Sequence, residues 1–431
     1  MGRKFLSFLG ASPYKECCYV YDDGNNLDRV TTKYIQEALI KILCKDWNKD
    51  DKAIIFLTDF ARKENYWNKE DETRRLKDKL LNLNISIKDI SIPNGKNQDE
   101  IWEIFNTILN EIEEGDEIIF DLTHSFRSIP MLALVILNYA KVLKNVKLKG
   151  IYYGAYEARW TENSKEIAPI FNLITFDELL EWAQAVNSFT RYGNSRHLKE
   201  LASRVLSSKL RERDQSAILV KNFVEKLDDF INTIYNCRGK GIFNEKNSDK
   251  KSISCAYKSM RKNLDNLIED KNDTLKPLVP LFNKVKETTK DFEKGDNLTT
   301  GIAVIKWSID NNLTQQAYTA LDETIKTYVC VKFGLDETDK NNREEIVAKA
   351  LRVRAQKIPK EKWKIKEEYR NKIEEIVVNL DNKLVQLSDK VNNLRNDINH
   401  FGYTVDVMDY KKLNSRIKNL YEEFRKHLEK E

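Results

Sequence analysis

Histidine is scarce in this chain, with 4 among 431 residues. Any one of them is therefore a conspicuous candidate for proton transfer. Glycine (14) and proline (7) are also few, which favours long helices over tight turns. The six cysteines, Cys17, Cys18, Cys44, Cys237, Cys255 and Cys330, are scattered. They fit neither a zinc spacing nor a disulfide framework, so a reducing cytoplasm is expected. No apolar run approaches a membrane span, and MGRKFLSFLGASP lacks the layout of a secretory leader. Neither a G-x-G-x-x-G fingerprint nor a nucleotide P-loop is present, which argues against an ordinary dinucleotide enzyme or ATPase. Charge of one sign is lacking too. The 73 basic and 68 acidic residues nearly balance, giving +5, and they are interleaved. Such a surface permits a nucleic-acid partner without demanding one. The acidic residues show no metal-ligand pattern, so no metal is expected.

What is there begins with alternation. KFLSFLG (4–10), AIIFLT (53–58), ISIKDISI (85–92), EIIFDL (117–122) and LKGIYYG (148–154) read as strands, the last of these closing the series. Between them lie helical stretches: one capped by Thr31 or Thr32 and running to about Cys44, then 70–83, 98–113 and Ile129 to Leu143. Strands alternating with helices predict a Rossmann-like α/β domain with a mostly parallel sheet covered on both faces. From about Phe176 onwards strand patterns vanish and helical periodicity continues to the end, an all-α remainder. Gly295 marks a break within it. The expected domains are 1–176, 177–295 and 296–431. The charged stretch 336–372, with Pro359 inside, reads as an exposed insertion or lid.

Two constellations carry chemistry. Ile373, Ile376, Leu380, Leu384, Leu387, Val391, Leu394 and Ile398 recur at steps of three and four, one apolar stripe on a long helix. Arg395 lies on its flank, while Asn396 and His400 share a face roughly opposite it. Gly402 is placed to end the helix. Arginine offers a planar fork of donors that fits a phosphate. A histidine that is not in a core can move protons. The same spacing also describes a solvated helix face, and residues five apart diverge by about 140° on an ideal helix. Two copies meeting across a two-fold axis would correct that divergence.

The second constellation lies beyond the carboxyl ends of strands, where open parallel sheets bind ligands. Gly10-Ala11-Ser12 follows the first strand. Thr123-His124-Ser125-Phe126-Arg127-Ser128 follows EIIFDL and precedes a helix. Hydroxyls, a histidine, an arginine and free N–H groups at a helix start suit a phosphate. Helix capping by Thr123 and a surface ion pair for Arg127 fit the same residues. Tyr153-Gly154-Ala155 either lines this crevice or turns the chain.

With both constellations in view, the chain resembles the CARF–HEPN ribonucleases of type III CRISPR systems. DLTHSFRSIP (121–130), FLGASPY (8–14), IPNGKNQDEIWEIF (92–105) and IYYGAYEA (151–158) are similar to CARF segments. Arg395, Asn396 and His400 are similar to the HEPN motif, and IKWSIDNNLTQQAYTALDE (305–323) to the start of a HEPN domain. The resemblance implies a homodimer, or a larger oligomer, in which paired CARF domains bind cyclic oligoadenylate and switch on cleavage of single-stranded RNA by paired HEPN domains without metal. Cyclic tetra-adenylate is the expected activator, with hexa-adenylate as the alternative ring. Carried over, Arg395 and His400 are catalytic and Asn396 orients them. Gly10, Ala11, Ser12, Thr123, His124, Ser125, Arg127 and Gly154 belong to the activator site. Neither a membrane nor DNA is an expected partner. Two other readings share these residues: a catalytically silent nucleotide sensor acting through partners, and a ring nuclease whose CARF domain degrades the activator.

Overall fold

The computed structural model describes residues 2–24, 26–72, 75–124, 129–242, 247–270 and 275–430. The chain divides into two compact units, Met1–Glu178 and Leu179–Glu431. Among its described residues the first is built on nine strands: β1 (Arg3–Leu9), β2 (Cys17–Asp22), β3 (Leu27–Thr32), β4 (Lys52–Leu57), β5 (Ser86–Ser91), β6 (Glu117–Asp121), β7 (Lys147–Gly154), β8 (Trp160–Glu162) and β9 (Lys165–Asn172). Their order is β3-β2-β9-β7-β6-β1-β4-β5, with β8 paired to β9. The stretch β7-β6-β1-β4-β5 is parallel throughout.

Period-two alternation explains why this sheet is covered on both faces. Phe5 and Leu9 of β1 join Ala53, Ile55 and Leu57 of β4 in one core, packed with helix Ile35–Leu43. Leu6 and Phe8 point the other way and join Ile54, Phe56, Ile118 and Phe120, packed with helices Gln98–Asn110 and Ile129–Lys144. Fully burying a side chain of this size is worth about 1.5–3 kcal/mol. The doubly covered central strands thus anchor the unit.

The parallel core matches the expectation; its flank does not. Asp23-Gly24 turns a hairpin between β2 and β3, with Gly24 at φ +85°. β7 is not the last strand, because β8 and β9 follow and β9 returns antiparallel to β7. Thr31 and Thr32 lie in β3 rather than capping a helix. The Thr32 hydroxyl still serves the next helix start: its Oγ1 accepts from the Tyr34 N–H at 3.2 Å and donates to Glu37 Oε2 at 2.5 Å. The helix expected over 70–83 is shorter, Leu76–Leu81.

The second unit is helical among its described residues, and it has two apolar cores. Trp182, Phe189, Phe223, Phe230 and Phe282 belong to the first; Tyr318, Ile325, Val391 and Phe424 belong to the second. Helix Asn297–Asp310 contributes Ala303, Val304 and Trp307 to one core and Ile305 to the other. Aspartates before the first turn set several starts. Asp214 accepts from the Ala217 N–H and Asp296 from the Thr299 N–H, each at 2.8 Å.

Two expectations are corrected here. The apolar stripe from Ile373 to Ile398 runs over two helices, Arg370–Asn379 and Asn382–Asn399, not one. Leu380 and Asp381 are extended between them, and the Asp381 carboxylate caps the second. The charged stretch 336–372 is no exposed lid. Ile346, Val347, Ala350, Leu351, Val353 and Trp363 are buried in the second core. All of these but Trp363 come from a π-helical turn, Asn342–Val347, and the helix Ala348–Ala355 that continues it, on which Arg352 is exposed while Arg343 turns inward to Glu323.

Candidate functional site

In the first unit, β1 has β4 on one side and β6 on the other, although β4 and β5 precede β6 in the chain. The strand order therefore reverses between β1 and β6. Loops leaving the carboxyl ends of two such strands diverge and leave a crevice. One of about 390 Å³ opens there, lined by Gly10, Ala11, Ser12, Thr123 and His124 together with Tyr14 and Phe60.

Buried polar groups hold its walls. Thr123 Oγ1 donates to Asp121 Oδ1 at 2.6 Å and accepts from the Gly154 N–H at 2.8 Å. Ser7 Oγ donates to Asp121 Oδ2 at 2.6 Å. Complete burial pushes the Asp121 carboxyl upward, against the pull of those two hydroxyls and the Thr123 N–H. Asn65 Nδ2 donates to the carbonyls of Gly10 and Ser12 at 2.9 and 2.8 Å, which fixes the first loop. The Gly10 N–H donates to Tyr14 Oη at 2.8 Å, and a Cβ on Gly10 would sit 2.8 Å from that oxygen. Glycine is the residue that fits so close an approach.

His124 packs against Tyr14, with ring centroids 4.4 Å apart. Burial alone lowers its pKa to about 4, so the ring is neutral near pH 7. Its Nε2 is buried and has no hydrogen-bond partner among the described residues. Gly154 is buried behind the crevice, where a Cβ would lie 2.5 Å from Ile35 Cδ1. Ser125 and Arg127 lie outside the described residues. Tyr14 falls within the FLGASPY stretch, but Asn65 comes from a distant turn and no sequence signal marks it.

In the second unit, Arg395, Asn396 and His400 sit in the last turns of helix Asn382–Asn399, and His400 is its C-cap. The Phe401 N–H donates to the Ile398 carbonyl and the Gly402 N–H to the Asp397 carbonyl, both at 3.0 Å. These two bonds form the paired closure that ends helices through a left-handed residue. Here that residue is Phe401, at φ +58°, with Gly402 following at +74°. Asp397 is buried and ties down the onward loop, accepting from Thr404 Oγ1 at 2.8 Å and the Met408 N–H at 3.1 Å. His400 is exposed, Asn396 half-buried.

Arg395 turns towards helix Thr314–Lys332. Its Nη1 donates to Asp322 Oδ2 at 2.5 Å and lies 3.9 Å from Glu323 Oε1. Lys326 bridges Asp322 and Glu323 at 2.9 and 2.8 Å, and Arg343 closes on Glu323 at 2.7 Å. Lys326 and Arg343 hold the Glu323 carboxyl below its usual range although burial opposes them. Neither Asp322 nor this network was legible in the sequence, since nothing about the separate stretches 322–326 and 343 advertises a meeting with Arg395. Among the described residues no three His, Cys, Asp or Glu side chains are grouped as metal ligands, and no helix is long and apolar enough to cross a membrane.

Comparison with known proteins gives this geometry a family. Residues 4–157 match the family described as CRISPR system endoribonuclease Csx1, CARF domain. The chain is also 33% identical over 262 residues to the CRISPR-associated protein MJ1674 of Methanocaldococcus jannaschii, an overlap of 57% of this chain and 34% of that relative. It thus spans about a third of the length of the curated relative it matches. The matched segment holds β1 to β7 and the crevice at the strand-order reversal, so residues 4–157 form a CARF domain similar to that of the Csx1 family.

Proposed function

We propose that the chain is a cyclic-oligoadenylate-activated endoribonuclease of type III CRISPR antiviral defence, cutting single-stranded RNA without metal at a HEPN-type site. The observation that carries this reading is an exposed His400 at the cap of a helix whose Arg395 is anchored on a buried carboxylate, in a chain with a CARF domain. RNA brings its own nucleophile. The ribose 2′-oxygen bonds to phosphorus, the bond to the 5′-oxygen breaks, and the proton lost by the first is matched by one gained by the second. What the protein supplies is alignment, proton transfer and positive charge beside the developing phosphorane. His400 is the proton-transfer group, Arg395 the permanent charge, and Asn396 orients the pair.

One copy holds the guanidinium against helix Thr314–Lys332 while His400 faces solvent. The complete site is accordingly formed by two copies across a two-fold axis. Met131, Val135, Tyr139 and Val142 support such pairing in the CARF domain. They are exposed along one stripe of helix Ile129–Lys144, beside exposed Trp102. A two-fold crevice suits a ring of alternating riboses and phosphates that carries adenines, and cyclic tetra-adenylate is the proposed activator. Gly10, Ala11, Ser12, Thr123 and His124 form its wall; Ser125, Arg127 and Gly154 are assigned to the same site. The activator acts by binding the active arrangement more tightly than the resting one.

The deciding experiment incubates the full chain with end-labelled single-stranded RNA in excess chelator, with and without cyclic tetra- or hexa-adenylate. Cleavage that depends on one ring is the expected result. Ligand binding without cleavage would leave a silent sensor, and conversion of the ring to linear products would add a ring nuclease.

A further inference from the structure

The crevice at the strand-order reversal reaches further along the sheet than the loops after β1 and β6. Phe60 follows β4 and Asn94 follows β5, and both line it. In the order β6-β1-β4-β5 these two loops fall at one end, with the Gly10 and Thr123 loops at the other. Neighbouring strands lie about 4.8 Å apart, so β6 and β4 are separated by about 10 Å. That is the scale of a nucleotide from its phosphate to its base.

The two ends differ in chemistry. At β1 and β6 the lining is small and polar, from Gly10 to Ser12 and at Thr123 and His124. At β4 it is an aromatic ring, and Phe60 is 62% exposed although it lines a crevice. Asn94, at β5, is exposed too. The backbone that carries Phe60 is fixed on both sides. Thr58 Oγ1 accepts from the Ala61 N–H at 3.2 Å, and Ala61 is buried. The π-helical turn that follows, Arg62–Tyr66, is tied by Asn65 to the Gly10 and Ser12 carbonyls. Tyr66 donates from its hydroxyl to Asp89 Oδ1 at 3.0 Å. A ring left open on an anchored turn loses little freedom when a flat partner lands on it. A nucleobase is such a partner, since every base has a face that stacks on an aromatic ring. A carboxamide such as that of Asn94 fits the N6 and N7 edge of adenine.

We infer that Phe60 is the base-stacking platform of the CARF crevice, taking an adenine of the activator while the attached phosphate lies towards the loops after β1 and β6. The inference rests on the oligoadenylate reading of this crevice and adds to it a residue outside the CARF-like segments of the sequence.

The test titrates cyclic tetra-adenylate and cyclic hexa-adenylate, each with one adenine replaced by 2-aminopurine, into the full native chain and into Phe60→Ala, Phe60→Leu and Phe60→Trp. Stacking quenches 2-aminopurine fluorescence, a signature that side-chain bulk alone does not give. One ring should be quenched on binding to the native chain. Phe60→Ala should weaken that ring about 5–150-fold, the worth of one stacked base, and should lessen the quenching. Phe60→Trp should keep both affinity and quenching, and Phe60→Leu neither. The ring of Phe60 is largely exposed, so the melting temperature should hold in all three variants. Native affinity and quenching in Phe60→Ala overturn the inference and leave the activator reading standing. Full rescue by Phe60→Leu overturns it as well, because the residue would then only fill space. A native chain that binds neither ring removes the activator reading and the platform with it.

Discussion

Asp322 Oδ2 accepts from both Arg395 Nη1, at 2.5 Å, and Lys326 Nζ, at 2.9 Å. One carboxylate that is 3% exposed thus sets where a guanidinium 73 residues away can point. In the proposed site Asp322 is a positioning residue for Arg395. Asp322→Asn keeps the shape and removes the charge. Because Arg395 and Lys326 retain some contact with solvent, the expected loss of unfolding free energy is about 1–2 kcal/mol. In the activated cleavage assay kcat should fall about 10–100-fold, the scale of a misplaced catalytic group, with KM little changed. A variant whose kcat is native while its stability drops would make the contact purely structural.

His400→Ala probes the other half of the pair. The side chain is exposed at a helix end, so the melting temperature should not move. Loss of a general acid or base should cost about 10²–10⁴-fold in cleavage rate, with cyclic-oligoadenylate binding intact. Full activity in this variant would remove the proposed active site.

His124 makes the CARF domain acid-sensitive. Its folded pKa, about 4, lies below the ordinary 6.5. The unfolded chain therefore takes up this proton first, and stability falls as pH drops from 6.5 towards 4. A displacement that large is worth at most about 3 kcal/mol. Asp121 works in the opposite sense, since burial raises its pKa and favours the protonated folded form as pH falls. The readout is thus a difference. His124→Gln should show a smaller loss of urea midpoint between pH 7.5 and 4.5 than the native chain. Equal losses would show that His124 titrates normally.

Phe401 adopts a left-handed conformation at φ +58° while the residue is 88% exposed. A non-glycine residue there carries a penalty of about 1–2 kcal/mol. Little apolar burial offsets it within one chain. Phe401→Gly should stabilise the isolated protomer by about 0.5–1 kcal/mol after the extra freedom of the unfolded glycine is counted. Thermal melts at low protein concentration check this. A destabilised variant would mean that the ring contributes packing within the chain.

Sequence reasoning succeeded where a short segment decides its own structure. KFLSFLG and EIIFDL can hardly be anything but buried strands, and the loops after β1 and β6 follow from them. It failed where distant segments decide. β3 is half exposed at the sheet edge, so apolar content does not announce it, and β2 inside it is a short run buried only from Cys17 to Val20; Asp23-Gly24 signals their hairpin. The stretch 336–372 hid Ile346, Val347, Ala350 and Leu351, helically spaced, among many charged residues. At the sites, chemistry named Thr123, His124, Arg395 and His400, but their supports Asn65 and Asp322 are known only from the folded chain.

Helix Asn297–Asp310 sits in both cores of the second unit, through Trp307 on one side and Ile305 on the other. A shared beam of this kind denies the two halves separate melting. Loosening either half exposes apolar surface on the helix that braces the other, so the unit should denature in a single transition. Strain in that rod therefore reaches helix Thr314–Lys332, whose Tyr318, Leu321 and Ile325 share a core with Ile305 and whose Asp322 holds Arg395.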